Sequence, residues 1–303
     1  MLTYTGSRNL FGTLARDSAA AVLTVADTLI NEQIRFVATA RQWWFLEKLY
    51  TLTTQASVQF LDLPGQLDRI ISSPYVTVSS VRYQPQEAPS RVFWDQLNYS
   101  TYDSDIPEYW YSFAGQFGLW PRPATAGNVI TLPGRQKITD LNIADYTTGT
   151  ITTTATTSNV TTVTGTTVTW AAGMIGQWIR ITQTSAALGG DGVWYQIATV
   201  PTSTTLTLEN PYGGTALTAA TAAYTIGQSS VLPDAYQSLP VYLALNVYFT
   251  SIDPNAEKAT LYAAKSKDLY AQMVQDHSSR GGSRVLDSGD DREVPNPNLF
   301  IRA

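Results

Sequence analysis

The sequence predicts an α+β protein in three parts. These are a discontinuous helical domain carrying a small antiparallel sheet, an all-β barrel or sandwich inserted into it, and an extended C-terminal arm. Three observations carry this. Apolar residues recur at helical spacing towards both ends of the chain. The period changes to two between Tyr50 and Pro133. Composition then shifts to a threonine-dominated, nearly uncharged stretch. The expected boundaries are 1–146 with 228–277 for the helical domain, 147–227 for the insertion and 278–303 for the arm.

The first helix is expected over Asp17 to Lys48. Ala19, Leu23, Ala26, Ile30, Ile34 and Val37 form one apolar stripe at spacings of three and four. Asp17 or Ser18 can cap its free backbone N–H groups. Trp43, Trp44, Phe45 and Leu46 end it as an apolar knot, a core anchor where helix meets sheet. A stacking platform for bases is the other reading of that knot, but no basic cluster accompanies it.

From Tyr50 to Pro133, Val58 and Phe60 alternate with polar residues, as do Val76 and Val78, then Val81 and Tyr83. Tyr109, Tyr111 and Phe113 lead into Ala114-Gly115, and Phe117 and Leu119 follow, which reads as a hairpin with glycine near its turn. Prolines 64, 74, 85, 89, 107, 121 and 123 keep the strands short.

Thr147 to Thr169 holds fourteen threonines in twenty-three positions. Between Leu141 and Thr225 the only charges are Asp145, Arg180, Asp191 and Glu209. Threonine is β-branched and favours strands. Strands are expected at 160–169, 177–182, 193–199, 204–209 and 224–226. A disordered stalk is the alternative, and Trp170, Trp178, Trp194 and Tyr195 argue against it.

Helix returns from Pro240 to Ile252. Val241, Leu245 and Tyr248 lie on one face, with Leu243, Val247 and Phe249 on others. A helix apolar on most sides is buried, and the reading assigns part of its cover to a neighbouring subunit. Asp253-Pro254 looks like a cap opening a second helix, which runs to about His277. The arm beyond Ser278 is rich in Gly, Ser and Asp. It closes on Leu299, Phe300 and Ile301 after Pro295 and Pro297, and so suits docking elsewhere. The expected interface residues are Val241, Leu245, Val247, Tyr248, Phe249, Leu299, Phe300 and Ile301.

Composition narrows the chemistry. The 303 residues include no cysteine and one histidine, which removes thiol catalysis, disulfides, Cys-ligated zinc and multi-His metal sites. A Ser-His-Asp triad would have to use His277. Charged residues make up 14%, against about 25% in an average soluble protein. A surface so poor in charge is Thr/Ser-rich or covered by other subunits. Lys+Arg is 19 and Asp+Glu is 24, a net charge of −5, so bulk attraction to a polyanion is not expected. Met1 to Thr13 has no apolar core of a secretory signal, and no run of about 18 apolar residues offers a membrane span. Asp103 with Asp105, and Asp290 with Asp291, are carboxylate pairs without the spacing of a known cation loop, and read as loop acids. A glycosidase pair is conceivable in a β-rich protein. Arg280-Gly281-Gly282 is a single RGG triplet, weak as an RNA signal. No cofactor is expected.

One ordered series carries a resemblance. Trp43-Trp44-Phe45-Leu46-Glu47, Thr51-Leu52-Thr53-Thr54, Phe60-Leu61-Asp62-Leu63-Pro64 and Arg69-Ile70-Ile71 come first. Pro107-Glu108-Tyr109-Trp110-Tyr111 and Gly118-Leu119-Trp120-Pro121-Arg122-Pro123 form a second block. Leu232-Pro233-Asp234-Ala235-Tyr236, Leu239 to Leu245 and Ala256-Glu257-Lys258-Ala259 form a third. The series resembles the head-to-tail adaptor (connector) proteins of tailed bacteriophages, the ring beneath the portal. The insertion at 147–227 departs from that pattern and is similar to a small β module of phage structural proteins. Pro240 also stands where the family keeps a helix former.

The resemblance implies a non-enzymatic structural protein of the virion, assembled in the host cytoplasm. It implies a homo-oligomeric ring of twelve subunits between the portal protein and the tail or nozzle proteins. Double-stranded DNA would cross its channel without specific binding, and no membrane would be involved. A tail or fibre component or a surface adhesin is the alternative, with a polysaccharide-degrading enzyme behind it. Helices at both ends favour the adaptor over a fibre.

Overall fold

The computed structural model describes residues 1–99, 102–153, 160–182, 190–214 and 222–280. The chain is mixed α+β and divides into two compact units, one of residues 1–41 with 139–303 and one of residues 42–138. The described residues hold five α-helices: α1 (Tyr4–Ala15), α2 (Ala20–Thr39), α3 (Arg91–Leu97), α4 (Leu239–Ser251) and α5 (Ala256–Arg280).

In the first unit, α1, α2 and α5 pack around α4. Thr3 opens α1, its hydroxyl accepting from the Gly6 N–H at 3.1 Å. Two of the carbonyls at the C-terminal end of α1 are met by α5: Tyr262 Oη donates to Leu14 O and Lys258 Nζ to Ala15 O, each at 3.4 Å. A cation suits that negative helix end. α2 carries the expected stripe, with Ala26, Ile30, Ile34 and Val37 buried. It is far shorter than the expected Asp17–Lys48 helix and stops at Thr39. Trp43 is extended and 1% exposed, and Glu47 already belongs to a strand. Burying the Trp43 and Leu46 side chains outweighs continuing a helix whose propensity is weak there. Trp44 and Phe45 stay half-buried. Asp17 does not cap α2 directly; its carboxylate accepts the Ala19 N–H at 2.8 Å, just ahead of the helix. Asp253 likewise does not open α5. Asn255 does, its side-chain oxygen accepting from Lys258 N at 3.0 Å. Pro240 is absorbed in the first turn of α4, where no intrahelical donor is lost.

The same unit contains a nearly closed β-barrel built from β10 (Thr150–Thr153), β11 (Val160–Thr166), β12 (Trp178–Ile181), β13 (Trp194–Thr202), β14 (Thr205–Tyr212) and β15 (Tyr224–Gly227). The antiparallel order is β10-β11-β14-β13-β12-β15, and an Ile151–Ala222 bridge links the two ends. Ile151, Val163, Ile179, Ile181, Ile197, Leu206 and Leu208 fill the interior. Threonines occupy the alternate positions, where Thr164 stands opposite both Thr152 and Thr205, and Thr207 opposite Thr162. Thr199 and Thr207 hydroxyls bond at 2.6 Å. The period-two pattern thus places methyl-and-hydroxyl side chains outward over an aliphatic core. Trp170 is buried within, donating Nε1–H to Tyr224 Oη at 3.1 Å, and Tyr224 donates to Thr148 O at 2.6 Å.

The second unit carries β1 (Glu47–Thr53), β2 (Phe60–Asp62), β3 (Leu67–Ile70), β4 (Tyr75–Val78), β5 (Val81–Tyr83), β6 (Gln86–Glu87), β7 (Tyr109–Phe113), β8 (Gln116–Trp120) and β9 (Val129–Gln136). Where one small antiparallel sheet was expected, two form. One runs β1-β9-β4-β5 with β3 also on β9, the other β2-β8-β7-β6. The β6–β7 pair is parallel. Their shared core joins Tyr50, Leu67, Val76, Ile130 and Leu132 to Leu61, Trp110, Phe117 and Leu119. The β7–β8 hairpin matches the expectation, turning through Ala114 and Gly115 with φ of 52° and 78°. α3 covers the other face of the smaller sheet. Its Trp94 stacks on Tyr111 at 5.7 Å, over the bare backbone of Gly118.

Candidate functional site

The expected interface positions come first. In α4, Val241 and Leu245 are 0% exposed, Phe249 is 1% and Tyr248 is 6%. The chain itself supplies that cover. Phe11 of α1 meets Tyr248 edge-on at 5.5 Å, and Tyr262 of α5 stacks on Phe249 at 6.0 Å. Lys258 Nζ also lies over the Phe249 ring, 4.4 Å from its centroid. Burying these four residues therefore needs no second copy. Val247, half-buried, is the one of the five that keeps accessible surface. Reading the sequence missed α1, because Met1–Thr13 looks polar. Phe11 and the Thr3 cap were its signals. Leu299, Phe300 and Ile301 lie outside the described residues.

Two phenols at α4, Tyr248 and Tyr262, stay neutral. Burial, above all, raises the pKa of Tyr248 and of Tyr262. Nearby Asp253 and Asp17 reinforce it for Tyr248. Such groups are poor general bases.

The Asp103 and Asp105 pair in the second unit is structural. Asp103 accepts from Arg122 Nε at 2.7 Å and from the Ser57 hydroxyl at 3.1 Å. Asp105 accepts the Thr125 N–H at 2.7 Å. Asp103 is thus ion-paired to Arg122, and Asp105 holds the chain at Thr125. Asp290, Asp291, Gly281 and Gly282 lie outside the described residues. His277 sits on α5. Among the described residues no cluster of three or more His, Cys, Asp or Glu could hold a metal ion, and no helix is long and apolar enough to cross a membrane. A shallow dimple lined by Gln42, Trp43, Glu47, Arg69, Ile71 and Arg135 is too small for an organic ligand.

Exposed apolar side chains are spread over both units. Phe36 on α2, Leu261 on α5 and Ile252 after α4 are 42%, 49% and 50% exposed. In the second unit, Leu49 on β1, Val81 on β5 and Val92 on α3 are also open. Scattered singly in this way, they are ordinary for a protein surface and do not by themselves mark an interface.

A family model described as SU10 adaptor protein matches residues 3–154, half of the chain. The chain belongs to this family of phage head-to-tail adaptors. It is a structural component of a bacteriophage virion. No curated protein matches it. The matched span of this phage adaptor runs from the Thr3 cap through β10. It therefore takes in α1, α2 and the whole two-sheet unit. The barrel strands β11–β15 and helices α4 and α5 lie beyond it.

Proposed function

We propose that this adaptor joins the portal to the tail as a ring that extends the DNA channel. The family match across α1 to β10 supports the reading most directly. Twelve copies would match the portal, each meeting the next through unlike surfaces that close by rotation. The partners are the portal protein on one side and tail or nozzle proteins on the other. Among the described residues, Val247 and the exposed Phe36, Ile252 and Leu261 are apolar positions of the helical part open to a neighbouring copy.

Residues 147–227 would act as a separate module for lateral or outward contacts with tail proteins. Its two ends support this: Tyr146 and Ile226 exchange backbone hydrogen bonds at 2.8 and 2.9 Å, so the chain leaves and re-enters at one place. DNA would pass without being gripped, because a net charge of −5 offers phosphate no bulk attraction. Co-sedimentation of the purified protein with portal-bearing heads lacking tails tests the reading. Stoichiometric binding is expected; failure to bind, or tight duplex binding with a steep salt slope, refutes it.

A further inference from the structure

β1 is an edge strand. It pairs with β9 along its whole length, Glu47 opposite Arg135 through Thr53 opposite Val129, with no shift of register. β3 and β4 take the other side of β9. Among the described residues no strand pairs with the outer edge of β1, so beyond Glu47, whose N–H donates to Trp44 O, alternate residues of the strand present N–H and C=O groups that no strand takes up. The other edges of the two sheets are shorter: β3 has four residues, β5 and β2 have three each and β6 has two. β1 has neither a proline nor a bulge, and its charges, Glu47 and Lys48, stand at its start, so residues 49–53 form an uncharged stretch of edge. Leu49, at its middle, is 62% exposed.

We propose that this edge receives residues 298–303 of a second copy as an added strand. The proposal rests on the ring reading and names where the arm goes. Asn298, Leu299, Phe300, Ile301, Arg302 and Ala303 form a proline-free run directly after Pro295 and Pro297. Six residues at roughly 3.3 Å each span about 20 Å, close to the length of β1. The two prolines lack N–H groups and end the pairing upstream. Residues 281–297 lie between α5 and this run and can reach up to about 60 Å when extended. That is enough to cross to a neighbour. Leu299 and Ile301 alternate with Phe300, so they share one face of the added strand. That face sits beside Leu49 and covers it, while main-chain bonds supply the rest of the affinity. In a closed ring each copy gives one arm and receives one, so no edge is left open.

The absence of cysteine makes a direct test available in the full-length chain. Leu49→Cys protein is mixed with Leu299→Cys, Phe300→Cys or Ile301→Cys protein under assembly conditions and oxidised. Circular dichroism first checks that each variant is folded. Cysteines directly opposite each other on one face of neighbouring strands come nearest to disulfide reach, diagonal neighbours on that face lie about 7–8 Å apart, and those on opposite faces point away from each other. Covalent dimers are expected from 299 or 301, whichever stands opposite position 49, at least about tenfold more than from 300. A Val92→Cys partner, on exposed α3, should give none. Equal cross-linking at all three arm positions, or none at any, overturns the proposal. If cross-links form only within one chain in a Leu49→Cys, Leu299→Cys double variant, a second copy is not the donor and the proposal falls. Portal co-sedimentation of the same samples separates the two readings. Normal binding without the alternating cross-links refutes the edge assignment alone, and lost binding refutes the ring.

Discussion

Phe249→Asp and Val247→Asp separate a core helix from an interface helix. Phe249 is 1% exposed, stacked on Tyr262 at 6.0 Å, edge-on to Tyr248 at 5.2 Å and capped by Lys258. Losing such a ring costs about 3–5 kcal/mol. Placing an ionised carboxylate in the space adds several more, offset in part by the nearby lysine. The sum approaches the roughly 5–15 kcal/mol that holds a whole domain folded. Phe249→Asp should therefore unfold the helical part of the first unit rather than merely block assembly. Val247 keeps accessible surface, so a carboxylate there reaches water in the monomer and should cost about 1–2 kcal/mol or less. It should still impair ring formation if a neighbour covers it. Thermal melts by circular dichroism, with light scattering on portal, read both effects. A folded Phe249→Asp protein with a melt near that of the parent would refute the packing argument. A Val247→Asp protein that assembles normally would remove that residue from the interface.

Three further outcomes are expected. Tyr224→Phe should destabilise the barrel by about 1–3 kcal/mol, because it strands the buried Trp170 N–H and the Thr148 carbonyl. Burial, above all, raises the pKa of Tyr224, Tyr195 and Tyr212. Their contribution is therefore complete below the unfolded value near 10 and is lost as pH climbs above it; melts at about pH 8 and about pH 11 should differ accordingly. Gly118→Ala should cost about 1–3 kcal/mol, since a Cβ there would lie 2.7 Å from Trp94 Cζ2 and 2.8 Å from Phe60 Cε1; an unchanged melting temperature would contradict the α3 packing. Replacing residues 147–227 with a short Gly/Ser linker should retain the helical circular dichroism signal, because Tyr146 and Ile226 are already paired, and loss of that signal would show that the helices depend on the barrel.

The parts legible in the sequence were those whose pattern is local. The threonine alternation of β11 and β14 reports an aliphatic interior under a hydroxyl surface, and the Ala114-Gly115 turn reports its own hairpin. The stripe from Ala26 to Val37 reports α2. Where long-range burial decides, the pattern misleads. Nothing near Thr39 stops a helix, yet Trp43 must be extended to be buried. α4 reads as apolar all round, but only the fold reveals that α1, α2 and α5 supply its cover. The two sheets of the second unit look like one, because alternation fixes faces and not partners. The Asp103 and Asp105 pairings could not be foreseen, since Arg122 and Thr125 lie far along the chain. The β1 edge is likewise a property of topology, invisible until β9 is seen taking its other neighbours on the far side.

Imaging of the purified protein with its portal by negative stain tests the central claim most directly. The account predicts a closed ring of twelve copies, coaxial with the portal and continuous with its channel. A protein that stays monomeric beside intact portals, or that decorates the assembly away from the channel axis, would contradict it.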